Sequence, residues 1–133
     1  MKFAQIEAFI FDLDGTLVDS GLDIALSANS VRSHFRLPEL PLATAQSYVG
    51  DGVVRLLART LGHDVATGLT TPDGLAVSEQ QLTEGLAVFQ KHYSEHLLDH
   101  TKLYPGVREV LAHLAGVPLH VATNKPRDFT DRM

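Results

Sequence analysis

The chain has 133 residues, 44% of them apolar and 20% charged, with a formal net charge of −5. That length fits one modest domain with a real core, and the mildly acidic balance argues against a nucleic-acid-binding face or an anionic membrane partner. No cysteine occurs, which excludes a disulfide framework, thiolate catalysis and a zinc–thiolate site.

Glu7, Asp12 and Asp14 interrupt any apolar run of the kind a secretory signal needs. The longest uncharged stretch, Val110 to Asn124, contains Pro118 and is too short to span a bilayer. A cytoplasmic protein is the expectation. Ala8 to Phe11 is an apolar run bounded by carboxylates, the pattern of a short buried strand. From Ser20 the pattern becomes helical, with Ile24, Ala28, Val31 and Phe35 on one face and Asp19 or Ser20 placed to cap the start. Pro38 and Pro41 interrupt it, a short helix near Leu42 to Tyr48 is expected, and Gly50-Asp51-Gly52 marks a turn.

Val53, Leu56, Leu57 and Leu61 predict another helix, ending near Gly62, and residues 64–77 read as a loop. Ser78 with Gln81 three residues on resembles a capping box, opening a long helix that carries Leu82, Leu86, Phe89, Tyr93 and Leu97. Tyr104-Pro105-Gly106 breaks the pattern. Val107, Val110, Leu111 and Leu114 form a further helix, Pro118 to Ala122 a second strand, and Phe129 to Met133 the opening of another helix. A helical block of about 80 residues between two candidate parallel strands far exceeds a single crossover helix, so a small helical domain over the strand ends is expected.

The chemistry concentrates in Asp12-Leu13-Asp14-Gly15-Thr16. Two carboxylates two positions apart would share one face of a strand, and Gly15 allows a sharp turn after them. Open parallel sheets bind ligands just past the carboxyl ends of their strands. Paired carboxylates there suit a divalent cation and phosphoryl chemistry, in which the cation screens a carboxylate from an anionic ester. Solvated acids at a strand end are the plainer alternative, weakened by the strand before them and Gly-Thr after.

Asp12 to Ser20 resembles the first motif of the haloacid dehalogenase superfamily. Tyr104-Pro105-Gly106-Val107 and Val121-Ala122-Thr123-Asn124-Lys125-Pro126 resemble its phosphoglycolate phosphatase branch. The resemblance implies a doubly wound parallel α/β (Rossmann-like) core, here incomplete, with a helical cap inserted after the first strand. Residues 1–17 and 103–133 would then be partial core and residues 18–102 the cap. It also implies magnesium-dependent hydrolysis of a small phosphorylated metabolite, most simply 2-phosphoglycolate. Asp12 would be the nucleophile and Asp14 the general acid and base. The Asp12 carboxylate and the Asp14 carbonyl would hold Mg2+, and Thr123 and Asn124 would bind the phosphoryl group. An acid at position 14 favours a phosphatase or phosphomutase over the dehalogenases and phosphonate hydrolases of this fold. A phosphosugar mutase is therefore the enzymatic alternative, and a shortened chain kept as a non-catalytic interaction module the other.

Arg55 is a candidate partner for a substrate carboxylate, with a solvated helix residue as the equal alternative. Lys125 reads as a surface residue at a loop start rather than as a substitute for the family's third-motif lysine. That lysine and the family's acidic fourth motif would both lie downstream of Met133. His92, His96 and His100 recur every four residues, but beside the apolar stripe they read as a solvated cap helix rather than a zinc site. Oligomeric state is not legible. The expected outcome is that the 133-residue chain by itself hydrolyses phosphoglycolate slowly or not at all. A phosphate-release assay on the purified chain checks this, and sustained magnesium-dependent turnover would refute it.

Overall fold

The computed structural model describes residues 6–64, 69–70 and 77–133. In chain order the elements are β1 (Phe9–Phe11), β2 (Val18–Asp19), α1 (Gly21–His34), α2 (Leu42–Gln46), α3 (Val53–Thr60), β3 (His63–Asp64), β4 (Leu69–Thr70), α4 (Glu79–His96), β5 (Lys102–Leu103), α5 (Val107–His113), β6 (Leu119–Val121) and α6 (Arg127–Thr130). β1 and β6 pair in parallel, with Phe9, Ile10 and Phe11 opposite Leu119, His120 and Val121. β2 and β5 form an antiparallel ribbon, Val18 opposite Leu103, where the helical insert leaves and rejoins the strand layer. The chain is thus an α/β arrangement with a helical insertion between its two parallel strands.

The start of α4 follows its local sequence. Ser78 Oγ accepts from the Gln81 N–H at 3.2 Å while Gln81 Oε1 accepts from the Ser78 N–H at 2.9 Å, so the capping box forms. α1 ends differently from the expectation. Arg36 takes the left-handed conformation (φ 58°) and the Leu37 N–H bonds back to the Arg32 carbonyl at 2.9 Å, closing the helix before either proline. Ser20 sits at the N-cap position of α1 but makes no capping hydrogen bond. Its hydroxyl is used elsewhere. Residues 69–70 pair antiparallel with 63–64, a short ribbon within the segment read as loop; two-residue strands carry too little periodicity to be seen in sequence. The rest of that segment lies outside the described residues.

The main core joins α1, α3 and α4 through Ile24, Val31, Leu56, Leu57, Phe89 and Tyr93, and Phe129 of α6 packs into the same cluster. α4 approaches α1 closely at Gly85, where an added Cβ would lie 3.2 Å from Val31 Cγ1. The parallel strands, expected to be buried, are not. Ile10 is 70% and Val121 49% exposed. Parallel strands are buried only when neighbouring strands and helices cover both faces, and among the described residues each of these strands has one partner.

Buried polar groups tie the helical insert together. Asn29 Nδ2 donates to the Leu40 carbonyl and Asn29 Oδ1 accepts from the Leu40 N–H, both at 2.9 Å, pinning the loop before α2 to α1. Arg32 is buried and reaches the Pro38 and Thr60 carbonyls. The Asp23 side chain is fully buried and accepts from the His100 N–H (2.9 Å), the His100 ring (2.7 Å), the Thr101 N–H (2.8 Å) and the Thr101 hydroxyl (2.8 Å). That cluster fastens the start of α1 to the segment just before β5.

Burial pushes the Asp23 carboxyl up, but the His100 and Thr101 donors outweigh it and hold the group below the ordinary carboxylate value. A carboxyl depressed in the folded state contributes stability that is present above its unfolded value and lost as pH falls through its folded one. Urea melts across pH should therefore show stability declining as pH drops below about 4, with Asp23→Asn shallower over that range. The Thr60 hydroxyl oxygen is buried with no hydrogen-bond partner among the described residues. Thr60→Val should raise stability by about 1 kcal/mol in the same assay, because an unsatisfied buried hydroxyl is lost.

Candidate active site

β1 stops at Phe11 and the chain turns at once. The Leu13 carbonyl collects the N–H groups of Thr16 (3.2 Å), Leu17 (2.9 Å) and Val18 (3.1 Å), and Gly15 adopts φ +79°, a conformation that disfavours any side chain. Leu13, Leu17 and Val18 are buried against Val107 and Leu111. The apolar residues of the loop are held inward, and both acids line one cleft. On the other side, the Ala122 N–H donates to the Phe11 carbonyl at 2.8 Å, carrying the parallel ladder one step beyond β6. Thr123, Asn124 and Lys125 come directly after and line the same cleft. The helical insert completes the walls with Gly50 and Gly52 before α3, Leu56 on α3, and Tyr93 on α4. The cavity is about 70 Å³, room for a small ligand rather than a single water.

Asp12 is exposed, and its Oδ1 accepts from the Leu13 N–H at 2.8 Å. Asp14 is more enclosed. Its Oδ1 accepts from Ser20 Oγ at 2.5 Å and lies 3.3 Å from Lys125 Nζ. The Ser20 hydroxyl is therefore spent on Asp14 instead of on the helix it precedes. The Lys125 side chain is only 4% exposed, and its ammonium donates to the Tyr93 hydroxyl at 2.6 Å. The surface position expected for Lys125 is thus corrected: the turn after Asn124 folds the side chain inward between Asp14 and α4. Burial lowers the Lys125 ammonium below the ordinary lysine range, an effect that Asp14 partly offsets. Burial, then the charges of Asp14 and Asp23, push the Tyr93 hydroxyl well above the ordinary tyrosine range, so it stays neutral and able to accept.

Thr123 Oγ1 accepts from the Lys125 N–H at 3.1 Å, an arrangement that leaves the hydroxyl proton able to donate into the cleft. The Asn124 side chain turns to the insert and donates to the Gly50 carbonyl at 3.0 Å, linking the loop after β6 to the loop before α3. Arg55 does not join these residues. Leu56 and Leu57 turn the apolar face of α3 inward, Arg55 is exposed, and it is not among the cleft-lining residues. Sequence reasoning missed Ser20, taken as a helix cap, and Tyr93, taken only as core. The directness with which Ser20 follows the acidic motif was the one usable signal.

The histidines are only partly the solvated row expected: the His96 and His100 side chains are 44% and 51% exposed, and His92 is the one drawn into the insert. Ser27 Oγ and His92 Nδ1 lie 2.9 Å apart, bridging α1 and α4, and His100 meets Asp23. Burial, then the neighbouring His96, lower the His92 ring below the ordinary histidine range. No group of three or more metal-ligating side chains gathers among the described residues. The Asp12 and Asp14 donor set nevertheless fits magnesium in kind, because that ion takes hard oxygens and completes its shell with water after one or two carboxylates.

A family model for haloacid dehalogenase-like hydrolases matches residues 9–133. The phosphoglycolate phosphatase of Chromobacterium violaceum is 42% identical over 128 residues, covering 94% of this chain and 54% of that protein. That of Nitrosospira multiformis is 39% identical over 127 residues, covering 94% and 52%. Among solved structures, a predicted phosphoglycolate phosphatase from Haemophilus somnus superposes with a TM-score of 0.76 at 32% identity, covering 93% of this chain and 54% of that one. The chain spans about half the length of these relatives. With its acidic loop and Thr123 turn meeting at the ends of two parallel strands and the family match running through both, the chain belongs to the haloacid dehalogenase-like hydrolases.

Proposed function

We propose that this chain carries the nucleophile-bearing part of a magnesium-dependent phosphatase for a small phosphate monoester, 2-phosphoglycolate being the best-supported substrate through the names of its relatives. The observation that carries the reading is the meeting of Asp12, Asp14 and Thr123 in one cleft, from loops far apart in sequence. Residues 18–102 act as the cap over that cleft, and residues 1–17 and 103–133 as its partial core.

In this reading Asp12 attacks phosphorus, and the phosphorus–oxygen bond to the organic group breaks as the aspartyl bond forms. Asp14 gives its proton to the departing alkoxide. It then takes a proton from the water that hydrolyses the aspartyl phosphate, releasing orthophosphate and restoring Asp12. The Thr123 hydroxyl and the Asn124 backbone hold phosphoryl oxygens, while the Asn124 side chain keeps the cap loop in register. The Asp12 carboxylate and the Asp14 carbonyl would hold magnesium, which would supply charge neutralisation between nucleophile and ester.

The test is a fusion of this chain to the part of the Chromobacterium violaceum relative that lies beyond the matched region, assayed for phosphate release. Asp12→Ala should lower kcat at least about a thousandfold, as loss of a covalent nucleophile does. Asp14→Asn should cost about 10²–10⁴ on phosphoglycolate and distinctly less on p-nitrophenyl phosphate, whose leaving group needs no proton. Undiminished turnover in Asp12→Ala would end the proposal.

A further inference from the structure

Lys125 is the one cation among the described residues that line the cleft. A lysine buried to this degree costs free energy unless its charge is used. Its ammonium has three N–H donors. One goes to the Tyr93 hydroxyl at 2.6 Å and one faces Asp14 Oδ1 at 3.3 Å. The third has no partner among the described residues. The ammonium also lies 4.5 Å from the centre of the Tyr93 ring, so both the oxygen and the face of that side chain hold it. Tyr93 itself is clamped, 2% exposed, with Phe89 at 5.4 Å on one side and Phe129 at 5.0 Å edge-on. Its hydroxyl therefore has little freedom to track a wandering lysine, and the lysine must come to it.

Two acids and one cation share the cleft, and a phosphoryl group entering it brings further negative charge. An anion there needs a donor that the acids cannot supply. We propose that Lys125 is the cleft's anion-binding residue, contacting the oxygens of a phosphoryl group, and that Tyr93 is its positioning residue, so that helix α4 of the insert builds part of the phosphate site formed after β6. This deepens the phosphatase reading above and rests on it. The Thr123 hydroxyl, bonded to the Lys125 N–H, places a second donor in the same turn. Tyr93 acts through Lys125 and does not touch the anion.

The test uses the 133-residue chain with tyrosine carrying 13C at Cζ, titrated with inorganic phosphate in magnesium-containing buffer and monitored by NMR. Phosphate should shift the Tyr93 resonance as the ammonium moves from the phenol oxygen toward the anion. Lys125→Met should weaken phosphate binding about tenfold or more and abolish that shift, as loss of a charge-assisted contact does. Lys125→Arg should recover most of the affinity. Tyr93→Phe, which keeps the ring and removes only the hydroxyl, should weaken binding about three- to tenfold with an unchanged cooperative melt. A wild-type chain that binds no phosphate, or Lys125→Met and Tyr93→Phe chains that bind it as well as wild type, would overturn the proposal. Covalent phosphorylation of Asp12 in the fusion, with phosphate affinity indifferent to Lys125 and Tyr93, would sink this inference and leave the phosphatase reading standing. Phosphate binding that depends on both residues in a fusion with no phosphorylated Asp12 would do the reverse.

Discussion

The parallel pairing of β1 with β6 is the constraint on which the site depends. Three residue pairs, Phe9 with Leu119, Ile10 with His120 and Phe11 with Val121, set the register, and the Ala122 N–H to Phe11 carbonyl bond carries it one step further. Because the strands run the same way, their carboxyl ends fall together, and the loop leaving one strand meets the loop leaving the other. A slip of one residue would reverse the faces of every side chain on the slipped strand. Asp12 and Thr123 would then no longer face a common cleft.

Asp14 is the point at which three parts of the chain converge. Ser20, at the entrance to the helical insert, donates to it; Lys125, after the second strand, sits beside it; and Tyr93, from the last turn of α4, holds that lysine. An acid in this setting is oriented by neighbours drawn from every layer of the molecule. The arrangement explains why Ser20 forgoes the capping bond that its position would otherwise offer. A charge-assisted hydrogen bond to a partly buried carboxylate is stronger than a neutral one to a helix N–H.

The insert is held by buried polar anchors as much as by its apolar cluster. Asp23 receives four donors from His100 and Thr101, Asn29 pairs with the Leu40 backbone, and Arg32 serves the Pro38 and Thr60 carbonyls. These bonds fix the geometry of segments that leave and re-enter the strand layer. The Asn124 side chain continues the theme by joining the strand-end loop to Gly50. The elements bounding the cleft cannot move independently without breaking one of these hydrogen bonds.

Local rules in the sequence sufficed wherever a residue's partner lay close along the chain. The Ser78–Gln81 capping box, the apolar stripes of α1, α3 and α4, the turn at Gly15 and the acidic motif were all legible, because each is settled within a few residues by backbone geometry or periodicity. Other features needed the folded chain. Lys125 read as surface and is buried; Tyr93 read as core and also holds a cation; Arg55 read as a substrate partner or a solvated helix residue and is exposed outside the cleft lining; the histidines read as a solvated row, yet His92 bridges α1 and α4 and His100 fastens α1 to the segment before β5. Each of those outcomes turns on a contact between residues distant in sequence, and composition and spacing carry no information about which distant groups will meet. The sequence determined which residues could do the chemistry and where the helices lie. The tertiary structure alone decided which charges meet in the cleft, because only the β1–β6 register and the packing of α4 bring them within hydrogen-bonding distance.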